Sequence, residues 1–213
     1  MIKGGLDLNK KNSKYIIFTL IVAIILWYLL FVIKSMNFWL EMSLSISALV
    51  LMSFIFNKDI FKIGKPNIRH ILIGIFSAIV LYIIFYLGNI ISGFIFPFKD
   101  SQVLSVYSNR SNGNLIWIGL LLLFIIGPGE EIYWRGFIQN TLSKKMGETK
   151  GYLISVLLYA GVHIITGNVM LVIAALVCGI FWGRLYKKEK SLLPVIISHA
   201  IWDLTIFVIF PLM

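Results

Sequence analysis

Apolar residues run along this chain in blocks, parted by short basic or polar stretches. Each block is about as long as the roughly 20 residues an α-helix needs to cross a bilayer. The pattern predicts spans near 15–33, 38–56, 71–96, 114–140, 151–166, 169–186 and 192–211. These seven segments describe an all-α fold, a polytopic transmembrane helix bundle. The fifth and sixth spans are separated only by Gly167 and Asn168, which requires a tight turn. The segment from Lys99 to Gly113 carries Ser101, Ser105, Ser108, Asn109 and Ser111 and reads as an external loop, partly helical at the interface. Pro66 and Pro97 mark span ends. The first run is too long for a signal-peptide core and no small-residue cleavage site follows it, so it reads as an uncleaved span.

Composition agrees with this picture. Of 213 residues, 59% are hydrophobic and 13% are charged, which excludes a soluble domain. The net charge of +10 raises the question of nucleic acid. The span count answers it. With the N-terminus in the cytoplasm, the inner loops collect Lys3, Lys10, Lys11 and Lys14, then Lys58, Lys62, Lys65 and Arg69. Arg135, in the loop or embedded above it without effect on the count, Lys144, Lys145 and Lys150 follow, then Arg184, Lys187, Lys188 and Lys190. Only Lys34, Lys99 and Arg110 fall outside. This asymmetry is the positive-inside pattern and accounts for the charge with no nucleic-acid partner. The lone cysteine, Cys178, sits among apolar residues and reads as packing. The Lys/Ile/Phe-rich composition suits a multi-pass protein of a bacterial cytoplasmic membrane. Residues 1–113 form N-terminal transmembrane helices and the external loop, and residues 114–213 form the part that carries chemistry.

That chemistry begins with Glu130, Glu131 and Arg135, just after the apolar run from Leu115 to Ile126. Each ionisable side chain costs roughly 2.5–3.5 kcal/mol to insert in hydrocarbon, so such a cluster requires a function. Three pairs share a spacing of four: Glu131 with Arg135, Tyr159 with His163, and His199 with Asp203. That spacing puts both members on one helix face. Counted from the flanking lysines, Glu130, His163 and Asp203 lie roughly 20 Å deep and His199 roughly 14 Å. Three helices thus bring carboxylates and imidazoles to overlapping levels. The segment Gly127-Pro128-Gly129 predicts a kink just before Glu130 that frees backbone donors and opens a water-filled cavity. The six tryptophans read as interfacial belts or helix packing.

A carboxylate at such a site is a candidate general base. An imidazole can orient water or bind a metal, and a second can donate to a developing oxyanion. Together they can hydrolyse a peptide bond. No serine or cysteine nucleophile accompanies them, and HExxH, GxSG and GxGD are absent from the sequence. A proton-coupled transporter would use the same residue types, but inverted repeats are missing from the sequence. A non-catalytic immunity or scaffold protein on the same fold is the third reading.

The run Glu130-Glu131-Ile132-Tyr133-Trp134-Arg135 resembles the EExxxR motif of the CPBP family, the CAAX-processing and bacteriocin-processing intramembrane proteases. Tyr159-Ala160-Gly161-Val162-His163 resembles its FxxxH motif, and His199-Ala200-Ile201-Trp202-Asp203 its HxxxN or HxxxD motif. The resemblance covers about residues 114–210 and implies roles. Glu130 would activate water, His163 would hold that water or a metal carrying it, and His199 with Asp203 would stabilise the oxyanion. Glu131, Arg135 and Tyr159 would support the site. The family is often described as metalloprotease. Glu130, His163 and His199 could hold a divalent ion such as zinc, and the same residues could run a metal-free mechanism. Implied substrates are hydrophobic or lipidated peptides or membrane proteins, as in CAAX-like processing, bacteriocin maturation or self-immunity. Two departures stand out. Position 203 is aspartate where the best-understood members use asparagine, and Tyr159 adds a hydroxyl where the motif has phenylalanine.

Overall fold

A computed structural model describes residues 3–58 and 67–212. Lys62, Lys65 and Pro66 of the first inner loop lie outside the described residues. The chain forms α1 (Lys3–Tyr28, continued by a π-helical stretch Leu29–Ile33), α2 (Phe38–Phe56), α3 (Ile68–Ile95) and α4 (Lys99–Tyr107). Then come α5 (Leu115–Met146), α6 (Glu148–Thr166), α7 (Val169–Glu189) and α8 (Leu193–Ile209). Among the described residues, α1, α2, α3, α5, α6 and α7 are long and apolar enough to cross a membrane. The seventh expected span is the shorter apolar helix α8. The chain is therefore a multi-pass helical membrane bundle.

The outer faces of α1 to α3 are apolar and exposed, as at Phe18, Phe76 and Phe94. Bilayer hydrocarbon rather than water suits that surface. Inside, Trp27, Trp134, Trp182 and Tyr133 are fully buried and join a core shared by most of the helices. Four of the helices start on a side-chain cap. Asn37, Asn67, Asn114 and Asn168 precede α2, α3, α5 and α7, and each side chain accepts from backbone N–H groups of the first turn. Gly147 joins α5 to α6 at φ 88°, a left-handed conformation that favours glycine. Gly167 and Asn168 make the tight turn between α6 and α7.

The two ends of the bundle differ. At one end, Arg69 pairs with Glu189 at 2.8 Å, and Lys190 pairs with Glu148. This end gathers the start of α3, the end of α7 and the start of α6, as the basic-loop pattern requires. The other end is closed by α4 and the 3-10 turn Ser108–Asn112. Trp39 Nε1 donates to the Asn109 carbonyl at 2.8 Å, and Asn168 Nδ2 donates to the Gln102 carbonyl at 2.8 Å. The polar segment expected as an external loop is thus largely helical.

The expected kink at Gly127-Pro128-Gly129 takes another form. Gly127–Glu131 remains helical, and the departure lies in π-helical stretches on either side, Leu122–Ile126 and Ile132–Gln139. Gly127 permits α8 to cross at close range: a Cβ there would stand 3.0 Å from the Cα of Ala200. That crossing seats Glu130 and Glu131, midway along α5, beside His199.

Candidate active site

All seven residues singled out by the motif spacing are buried: Glu130, Glu131, Arg135, Tyr159, His163, His199 and Asp203. They come from α5, α6 and α8. The four-residue spacings act in three ways.

Glu131 and Arg135 meet as expected, with Arg135 Nη1 donating to Glu131 Oε1 at 2.9 Å. The guanidinium also donates to the Cys178 carbonyl and lies over the Tyr159 ring, 4.7 Å from its centroid. The same Glu131 Oε1 lies 2.6 Å from His199 Nδ1. Glu131 therefore ties a buried cation on its own helix to an imidazole on α8. Such a carboxylate–imidazole pair fixes ring orientation and places the Nδ1 proton toward the acid.

His199 and Asp203 face each other one turn apart, Nε2 to Oδ2 at 3.4 Å. With Nδ1–H turned to Glu131, a proton between Nε2 and Oδ2 keeps their lone pairs from opposing each other. The His199 ring stacks on Trp182 at 3.7 Å between centroids, and Trp182 Nε1 donates to Ser198 Oγ at 3.1 Å. His199 is thereby held on both its edge and its face.

Tyr159 and His163 behave differently. The Tyr159 hydroxyl donates across to α5, to Glu130 Oε2 at 2.9 Å. His163 Nδ1 bonds the Tyr159 backbone carbonyl at 2.8 Å rather than its side chain. His163 Nε2 accepts from the Trp27 indole N–H at 3.2 Å. Trp27, on α1, and Trp182, on α7, are contacts that motif spacing does not reveal. Trp27 stands 136 residues from its partner, and its sequence context is that of any packed tryptophan.

Glu130, Tyr159, His163, His199 and Asp203 line one cavity of about 340 Å³. It extends from them toward α4, between residues 84–92 of α3, Phe96 just beyond it, 103–107 of α4 and 170–178 of α7. Its walls are mainly aromatic and aliphatic, among them Phe31, Phe85, Met170 and Phe207. An apolar cleft with a few convergent polar groups is the usual form of a binding site.

The fit of a metal can be judged from the same contacts. A zinc-bound imidazole offers a nitrogen lone pair to the ion. His163 has its bare nitrogen against an N–H donor, and His199 has its two nitrogens turned to Glu131 and Asp203. Among the described residues, no three His, Cys, Asp or Glu side chains gather as a ligand set. Glu130, His163 and His199 as placed do not fit a metal centre.

Residues 112–205 match the model of the family described as type II CAAX prenyl endopeptidase Rce1-like. No curated protein and no solved structure gives a significant match. The matched stretch contains all three motifs and leaves out α1 to α4.

Proposed function

We propose that this chain, whose residues 112–205 match the type II CAAX prenyl endopeptidase Rce1-like family, is a multi-pass membrane protease that cuts its substrates with a water activated by Glu130. The observation that carries this reading is the shared cavity: a buried carboxylate, oriented by Tyr159, faces the same space as His199 and Asp203. In this reading residues 114–213 are the catalytic core.

The steps follow from the donors and acceptors present. A water in the cavity gives a proton to the Glu130 carboxylate as its oxygen bonds to the scissile carbonyl carbon. The Tyr159 hydroxyl leaves Glu130 Oε1 as the oxygen open to that water. The carbonyl oxygen becomes an oxyanion and takes the proton-bearing edge of His199, whose Nδ1 is held by Glu131. Asp203 supports that edge from one turn away. Collapse breaks the C–N bond, and the proton held by Glu130 passes to the leaving amine. Arg135 holds the Glu131 carboxylate in place, so the α8 imidazole stays aligned. Every step is carried by side chains.

The apolar walls suit a hydrophobic or lipidated segment more than a polar loop. Membrane-associated peptides of the CAAX or bacteriocin kind, processed in a bacterial cytoplasmic membrane, are therefore the substrate class to test. The experiment is cleavage by purified protein in detergent, across a panel of hydrophobic and farnesylated peptides. Wild type should cleave at least one peptide, with or without a zinc chelator. Glu130→Gln should lose about 10²–10⁴-fold of that activity while staying folded. Equal cleavage by the two proteins refutes the reading, as does a well-folded wild type that cleaves nothing.

A further inference from the structure

The Trp27–His163 bond joins the N-terminal helices to the matched core, and its polarity is fixed at both ends. The Tyr159 carbonyl can only accept, so His163 Nδ1 carries a proton. The indole N–H can only donate, so His163 Nε2 is bare. One protonation state satisfies both partners: the neutral imidazole with its proton on Nδ1. The local backbone agrees. At His163 the α-helix tightens into a 3-10 turn, and the His163 N–H bonds the Ala160 carbonyl. That shift leaves the Tyr159 carbonyl for the imidazole. Trp27 is fully buried and meets the His163 ring edge-on, with 6.0 Å between centroids and planes at 88°.

We propose that Trp27 is a positioning residue of the peptidase site, one that fixes His163 in its Nδ1–H form and through it the helix turn that aims Tyr159 at Glu130. The inference rests on the peptidase reading above. It gives His163 a positioning role: with Nε2 bonded to the indole, the ring is held at the cavity wall. It acts through the Tyr159 carbonyl, while the Tyr159 hydroxyl touches Glu130 directly. It also makes α1 part of the catalytic unit, although the family match begins at residue 112.

The test is Trp27→Phe, which keeps an aromatic ring and removes the donor. The chain has three histidines, so ¹⁵N-histidine spectra of the protein in micelles can be assigned with a His163→Asn reference. Wild type should show His163 with a protonated Nδ1 and a hydrogen-bonded, bare Nε2. In Trp27→Phe those nitrogen signals should move. On a cleavable farnesylated peptide, kcat should fall about tenfold, the size of one lost hydrogen bond. KM should stay within about twofold, since no substrate contact is removed. Leu30→Ala, a buried truncation on the same helix, controls for packing. It should lower the unfolding temperature yet leave the His163 signals and kcat near wild type. Wild-type nitrogen shifts in Trp27→Phe, an unchanged kcat, or a His163 protonated on Nε2 in wild type would each overturn the proposal. A wild type that cleaves no peptide counts against the peptidase reading, and the nitrogen spectrum then decides the Trp27 assignment alone.

Discussion

Consider the loss of Arg135. Its guanidinium lies 2.9 Å from Glu131 Oε1, both side chains are buried, and Glu131 also holds His199. At an effective dielectric near 20, two unit charges at that distance attract by about 6 kcal/mol. Desolvation of both charges offsets most of that attraction, so the pair adds little net stability over an apolar replacement. Removing one partner is another matter, because the remaining charge stays buried and unpaired. Arg135→Met should therefore cost about 3–5 kcal/mol. Glu131→Gln should cost a comparable amount, because it strands the guanidinium. The double variant should cost much less than the sum, with a coupling of at least about 1.5 kcal/mol. Reversible unfolding in mixed micelles, run on all four proteins, measures the cycle. Activity provides a second readout: the double variant should regain stability but not turnover, since His199 has lost its carboxylate. A coupling below about 0.5 kcal/mol, within the scatter of independent sites, would refute the idea that Arg135 acts through Glu131.

Three other outcomes are expected. Tyr159→Phe keeps the ring beneath Arg135 and removes the bond to Glu130. It should lower kcat about tenfold and stability by about 0.5–1.5 kcal/mol, read from peptide cleavage and thermal melts. Gly127→Val pushes a branched side chain against the Ala200 backbone and should destabilise by about 1–3 kcal/mol or more. A melting temperature equal to wild type would deny the close crossing of α5 and α8. Asp203→Asn keeps a polar group beside His199 and should retain measurable cleavage, whereas Asp203→Ala should lose it. Equal rates for the two would remove Asp203 from the site.

Much of the site was legible in the sequence, for a specific reason. A spacing of four on a helix fixes a shared face, and that suffices when both partners lie on one helix. Glu131 with Arg135 and His199 with Asp203 follow from it. The rule says nothing of which face meets which. Tyr159 bonding Glu130 and Glu131 bonding His199 cross between helices and depend on packing. Trp27 and Trp182 were invisible for the same reason, since a buried indole near a site reads like a buried indole anywhere. The span pattern located the long helices because bilayer thickness sets their length. It read the α4 segment as an external loop only partly helical, because of its serines, and did not show that Val103, Val106 and Tyr107 turn an apolar side to the cavity. It also missed the π-helical stretches. Leu122–Ile126 has the composition of any membrane α-helix, and the widened turn is set by the proline that follows and by the close crossing at Gly127.

Those widened turns bear on how the chain tolerates gain or loss of a residue. Each residue advances an α-helix by about 100°, and a π turn absorbs one extra residue locally. The stretch Ile132–Gln139 thus takes up extra length between the two ends of α5. Upstream, Glu130 and Glu131 point at the cavity and at α8. Downstream, Gln139 reaches the Gly183 carbonyl on α7 at 2.9 Å. Deleting one residue within that stretch would restore ordinary α pitch and leave the two ends facing as they do now, whereas a deletion in an α-helical part of α5 would swing everything beyond it by about 100° relative to the glutamates. Tolerance to a change of length is thus concentrated at this point of the helix.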